Sequence, residues 1–164
     1  LSLFNQKQTN TCVPMSQETL FVIQKAIDVS NQTRGKFDIT LDPLIKKWGF
    51  DSKQTNDHIP NQKVIFKLLE NIGHSKIIVN KRCIAKQNKS LSINLSAIAK
   101  GFGVDQIANL IESIGVKNYL VEIGGETASR GLNSKSKVIQ NYSHVPPLVQ
   151  SGGSCVPSYL RAGI

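Results

Sequence analysis

The chain has 164 residues, of which 40% are hydrophobic and 19% charged, and its 20 Lys plus Arg against 11 Asp plus Glu give a formal charge of +9 at pH 7. That length fits about one domain on a scale of roughly 100–200 residues per domain, and the composition excludes bulk disorder. The positive balance suits phosphate, nucleic acid or an anionic surface, but six basic residues fall in 1–50, nine in 51–100 and five in 101–164, so there is no basic block, only a modest excess around Lys76 to Lys89.

In chain order, Ser16 precedes Leu20, Phe21, Ile23, Ala26 and Ile27, a helical rhythm with Ser16 as N-cap and Gln17 and Glu18 in the first turn. The spacing predicts a helix over 16–33, ended by Gly35. Residues 35–42 read as a loop and short strand, because Asp42 precedes Pro43 and the pre-proline restriction disfavours continued helix. Pro60 opens a second amphipathic stretch, with Val64, Ile65, Leu68, Leu69 and Ile72, which closes at Gly73. Ile77 to Val79, Cys83 to Ala85 and Leu91 to Asn94 then read as short strands of a meander. Val104, Ile107, Ala108, Ile111 and Ile114 predict a third helix over 96–114 ending at Gly115, followed by a strand over 118–123 and a glycine turn, an α+β or α/β unit.

From Val138 to Ile164 the pattern changes: 27 residues carry one charged side chain, Arg161, and half of the chain's six prolines. No period survives there, and 138–164 is read as irregular and not native coding sequence. The longest apolar run, Leu20 to Ile23, is far below the roughly 18 residues of a membrane span. The start at Leu1 shows no signal-peptide pattern, which is read as a true start that is missing or was processed. Cys12, Cys83 and Cys155 form no CxxC pair and are odd in number, so they are read as isolated thiols.

Three stretches hold more than a core requires. Gly35-Lys36-Phe37-Asp38-Ile39-Thr40-Leu41-Asp42-Pro43-Leu44, with Trp48-Gly49-Phe50 beyond it, offers backbone amides, an aromatic ring and a carboxylate, the materials for holding a flat heterocycle. The same residues would serve as a helix-to-strand turn with Phe37 and Trp48 in the core and Asp38 as a cap. Asn94-Leu95-Ser96-Ala97-Ile98-Ala99-Lys100-Gly101 opens a helix whose free N–H groups favour a phosphate, with Lys100 one turn in, or is simply a capped helix start. Ile123-Gly124-Gly125-Glu126 lets a ligand approach the backbone, though it is neither GxGxxG nor a Walker loop. His58, His74 and His144 have no metal-ligand partner at helical spacing and read as solvated or loop histidines. Ser151-Gly152-Gly153-Ser154-Cys155 lacks the base and strand context of a nucleophile loop.

In this order, the three stretches resemble the ApbE family, the FAD:protein FMN transferases, over about residues 1–137. Gly35 to Phe50, Leu95 to Asp105 and Ile123 to Glu126 are nearly verbatim family blocks. The resemblance implies a T-fold-related α/β sandwich of α+β class, with an antiparallel sheet and packed helices, incomplete at both ends. It implies Mg²⁺-dependent transfer of FMN from FAD to a Thr or Ser of a target flavoprotein, with release of AMP. Lys36, Phe37, Asp38, Asn94 and Lys100 would contact FAD, Ala97 would offer its carbonyl to Mg²⁺, and Gly124 and Gly125 would let the backbone pass near the nucleotide. No catalytic residue is assigned.

Asn94 stands where the family has Asp, which keeps a hydrogen-bond acceptor and removes a charge. The family's N-terminal strands and its C-terminal half, with Asp and Thr metal ligands, are not in this sequence, and Tyr142-Ser143-His144 is taken as a coincidence or the scar of a deletion. The chain is therefore expected to be a fragment with little or no activity. The family's place is the periplasmic face of the bacterial inner membrane, through a lipid anchor absent here, acting on subunits of membrane redox complexes. FAD binding or hydrolysis without transfer is the alternative within the family. A basic nucleic-acid-binding module is the alternative outside it, although no stripe of basic and aromatic residues supports nucleic acid as a partner.

Overall fold

The computed structural model describes residues 1–7, 11–50 and 59–139. The chain divides into two compact units, Leu1–Leu95 and Ser96–Ile164. The first holds α1 (Ser2–Gln6), β1 (Val13–Pro14), α2 (Gln17–Gln32), α3 (Asp42–Lys47), α4 (Gln62–Leu69), a 3-10 turn (His74–Lys76), β2 (Ile77–Val79) and β3 (Cys83–Lys86). The second holds α5 (Ser96–Ser113), β4 (Tyr119–Ile123) and β5 (Glu126–Arg130).

In the first unit, α2 forms where its spacing predicts. Ser16 Oγ accepts a hydrogen bond from the Thr19 N–H at 3.2 Å, satisfying one of the orphan donors of the first turn. The helix buries Leu20, Val22, Ile23 and Ala26 on one face, and the buried Ser30 hydroxyl donates to the Ala26 carbonyl four residues back. Asn61, one residue after Pro60, caps α4 by accepting from the Lys63 N–H. Three antiparallel strands in the order β1-β3-β2 pair Val13 with Ile84 and Ile78 with Ala85. Val13, Ile77, Ile84 and Ala85 are buried, as are Phe4, Ile39, Leu91 and Ile93, so the apolar interior of this unit comes from the sheet, α1, α2 and two irregular segments.

The structure departs from the sequence reading at four places here. Cys12 and Cys83 are not isolated thiols: they form a disulfide across a separation of 71 residues, beside the short β1–β3 pairing. Spacing along the chain says nothing about a pair brought together by strand pairing. Residues 35–42 contain no strand, and a helix starts at Asp42, with Pro43 in the first turn where a missing N–H costs nothing. Leu91 to Asn94 forms no strand and joins no ladder among the described residues, and its backbone groups are bonded elsewhere. β1 and α1, too short to show a period, had no signal in the sequence.

In the second unit α5 buries Ile98, Gly101, Val104 and Ala108. That stripe is narrower than the spacing implies, because Ile107 and Ile114 are exposed. β4 and β5 form an antiparallel hairpin with Ile123 opposite Glu126, so Gly124 and Gly125 are its two loop residues. Both have positive φ, +55° and +92°, which suits the right-handed twist of a two-residue hairpin turn. The hairpin extends the reading of 118–123, in which β5 was not foreseen. A Cβ on Gly103 would come within 3.3 Å of Ile123 Cδ1, so the small residue lets helix and hairpin approach closely. At the other end Glu112 accepts from the Tyr119 hydroxyl at 2.5 Å and meets Arg130 at 2.9 Å. The Tyr119 bond, then Arg130, holds its carboxyl below the usual carboxylate range. Val138 pairs with Leu132 in an isolated bridge and the Ile139 N–H donates to the Gly131 carbonyl; the remainder of the segment read as irregular, residues 140–164 with His144 and Cys155, lies outside the described residues, as does His58. Among the described residues no helix is long and apolar enough to cross a membrane.

A cross-link closing a loop of this length restricts the unfolded chain by about 4 kcal/mol in the chain-entropy account, and native disulfides deliver about 2–5. Cys12→Ser is therefore expected to lower the unfolding free energy by about 2–4 kcal/mol in urea titration, and a reductant to do the same to the unaltered chain. A urea midpoint unchanged by either would contradict the pairing.

Candidate functional site

The first motif block is a loop tied down from both sides. The Thr33 hydroxyl donates to the Val29 carbonyl and accepts from the Phe37 N–H at 3.1 Å, fastening the loop to the end of α2. Asp38, whose side chain is 9% exposed, turns inward. Its Oδ1 accepts from the Thr40 N–H at 2.8 Å and the Thr40 hydroxyl at 2.6 Å, and its Oδ2 accepts from the His74 N–H at 3.0 Å. Thr40 Oγ1 in turn accepts from the Gly73 N–H at 2.8 Å. One carboxylate and one buried hydroxyl thus hold this loop against the turn after α4. His74 belongs to the same arrangement, with Nδ1 3.5 Å from Asp38 Oδ2 and Nε2 3.0 Å from Asn31 Oδ1, so it is not a solvated histidine. The loop leaves Lys36 exposed and Phe37 half-buried, while Trp48 is 45% exposed rather than core.

The second block begins beside Asp42, a residue the sequence reading placed in the first block without a role. Its side chain is 7% exposed. Oδ2 accepts from the Lys46 ammonium at 2.7 Å, one helical turn on, and from the Ser92 hydroxyl at 2.5 Å, and Oδ1 faces the Asn94 amide at 3.4 Å. The Asn94 N–H donates to the Ile39 carbonyl at 2.8 Å. Two stretches 50 residues apart are therefore one constellation, and Asn94, a predicted site residue, is held by the block that carries Lys36 and Phe37. A neutral amide at position 94 donates to Asp42. An Asp there would set a second carboxylate against the first, so the departure from the family pattern fits its surroundings.

Within the second unit, the other predicted residues gather around Lys100. Its ammonium donates to the Gly124 carbonyl at 2.9 Å and lies 4.0 Å from Glu126 Oε1. A Cβ on Gly124 would meet Lys100 Cδ at 3.1 Å, so the glycine is what lets the lysine lie along the turn. Lys100, Gly124 and Gly125 thus form one exposed group at the tip of the β4–β5 hairpin, and the ion pair itself, on the surface, contributes little to stability. Ala97 lies exposed in the first turn of α5. Among the described residues no group of three His, Cys, Asp or Glu side chains is placed to hold a metal ion.

The chain is thus an α+β protein with small antiparallel sheets that carries these blocks on loop tips and at a helix start. The sequence model of the ApbE family matches residues 1–147, and the chain belongs to that family. It is 36% identical to the FAD:protein FMN transferase of Vibrio cholerae over 133 residues, 81% of this chain and 40% of the relative. Against the enzyme of that name from Haemophilus influenzae it is 35% identical over 142 residues, 84% of this chain and 41% of the relative. Among solved structures it is similar to the flavin transferase ApbE of V. cholerae, with a TM-score of 0.79 and 35% identity over 83% of this chain and 44% of that one. The apo flavinyl transferase ApbE of Pseudomonas stutzeri gives a TM-score of 0.75 at 27% identity, covering 82% and 44%. The chain spans about two fifths of the length of the curated relatives it matches.

Removing the Asp42 carboxylate leaves Lys46, Ser92 and Asn94 without their shared acceptor, and Asp42→Ala is expected to cost about 2–4 kcal/mol, against about 1 for Ser92→Ala. Urea denaturation of the two variants checks this, and an Asp42→Ala midpoint equal to that of the unaltered chain would contradict the constellation.

Proposed function

We propose that this chain carries a flavin-nucleotide-binding part of an FAD:protein FMN transferase. The observation that carries the reading is the coincidence of the three family blocks with groups suited to a dinucleotide. Phe37 offers a half-buried aromatic ring and Lys36 an exposed cation, Lys100 is an exposed ammonium beside two glycines, and Ala97 lies at a helix start where N–H groups favour phosphate. In this reading Lys36, Phe37 and Asn94 are the flavin-contacting residues of the first unit, with Asp38 shaping their loop. Within the second unit, Lys100, Gly124 and Gly125 are the residues suited to a phosphate.

In the transfer reaction a Thr or Ser hydroxyl of a target flavoprotein attacks the phosphorus of the FMN half of FAD. A phosphoester bond forms, the pyrophosphate bond breaks, and AMP leaves. Such chemistry rests on positioning and on neutralising charge at the phosphates. Mg²⁺ would supply part of that neutralisation, with the Ala97 carbonyl as the ligand this reading assigns. A single hard oxygen falls short of the octahedral set this ion takes, so no step of the reaction is derived through it. What the residues here do is bind and orient: Lys100 holds a positive charge beside the hairpin turn, and Asp42 keeps Asn94 in place.

The proposed location is the periplasmic face of the bacterial inner membrane, with subunits of membrane redox complexes as targets. The Cys12–Cys83 disulfide supports that location, because such bonds persist in oxidising compartments and are rare in the cytosol.

FAD added to the chain with Mg²⁺ is expected to raise its unfolding temperature and quench on binding, and Lys100→Ala or Phe37→Ala to weaken the affinity about tenfold, near 1.4 kcal/mol. No FAD-dependent change, together with DNA binding that falls steeply with salt, would overturn the flavin reading in favour of a nucleic-acid module.

A further inference from the structure

The segment Leu91 to Asn94 pairs with no strand among the described residues, yet Leu91 and Ile93 are each 1% exposed, and buried backbone polar groups need partners. At Ile93 both are supplied by one side chain. The Asn5 amide donates to the Ile93 carbonyl at 2.8 Å, and the Ile93 N–H donates to Asn5 Oδ1 at 2.9 Å. This carboxamide closes the pair of bonds that a facing residue in an antiparallel ladder would close.

The residue before it anchors the arrangement. Phe4 is fully buried, and the Lys86 ammonium sits 4.9 Å from its ring centroid while donating to the Leu91 carbonyl at 2.9 Å. Burial pushes the Lys86 pKa below the usual lysine value, which is why a carbonyl and an aromatic face are needed around it. Consecutive residues of the five-residue α1 therefore govern the backbone at 91 and 93, the first through Lys86 and the second directly.

Ile93 lies between Ser92 and Asn94, the two residues that bond Asp42. We propose that Asn5 is a positioning residue for the flavin site: by standing in for a missing strand it sets the register of 92–94, and so the place of Asn94 relative to Lys36 and Phe37. The inference rests on the flavin reading above for what Asn94 contacts. Only Asn has the donor, the acceptor and the length that this pairing uses. Asp loses the donor, Ala loses both groups, and Gln is one methylene longer.

The test combines amide hydrogen exchange with FAD titration on the full chain carrying Asn5→Ala and Asn5→Asp, the second keeping size and one bond should the first fold poorly. An Ile84→Val chain, destabilised by a methylene lost from the buried β3 with Asn5 intact, is the control for a merely structural loss. The Ile93 and Asn94 amides are expected to exchange at least about tenfold faster in both Asn5 variants while β2 and β3 stay protected. FAD affinity is expected to fall about tenfold in both variants and to hold in the control. Unchanged exchange at 93–94, or unchanged FAD affinity beside faster exchange, would overturn the proposal. An unaltered chain that binds no FAD refutes the flavin reading instead, and the exchange arm still decides whether Asn5 sets the register.

Discussion

Much of the first unit depends on the demand of one buried carboxylate for partners. Asp42 is removed from water, and a buried anion is tolerated only where hydrogen bonds and a counter-charge replace its hydration. Lys46 supplies the charge from one helical turn away. Ser92 and Asn94 supply the bonds from a segment far along the chain. Because that segment belongs to no ladder, its position follows from such contacts rather than from sheet register. The Asn94 N–H bond to Ile39 and the Asn5 bonds to Ile93 complete them.

A second carboxylate applies the same logic a few residues earlier. Asp38 spends both oxygens on Thr40 and on the turn after α4, so it shapes the loop that carries Lys36 and Phe37. In the second unit a cation takes the organising part. Lys100 lies along a hairpin turn whose glycines have positive φ and no side chain to exclude it.

What could be read from the sequence was periodic or punctuated. The caps and apolar spacing of α2 and α5, the β-branched run of β2 and the glycine turn at 124–125 all leave local traces, and each element formed where they stand. The motif blocks were equally legible, because their residue order is specific without any knowledge of contacts. Long-range partners leave no such trace. Nothing in the spacing of Cys12 and Cys83 marks a pair, and nothing near Asn5 marks a side chain that replaces a strand. Leu91 to Asn94 has the composition of a strand, but ladder formation depends on what lies beside it. Asp42 before Pro43 was read as a helix stop. It is the acidic first turn of a helix, where a carboxylate also favours the helix dipole.

The central proposal is that each family block contributes flavin-contacting residues. Amide chemical shifts recorded during FAD titration of the isotopically labelled chain test it most directly. The account predicts changes concentrated at Lys36, Phe37, Asn94, Ala97, Lys100, Gly124 and Gly125, with the outer strand β2 unmoved. Shifts confined to other surfaces, or binding that leaves these amides in place, would contradict it.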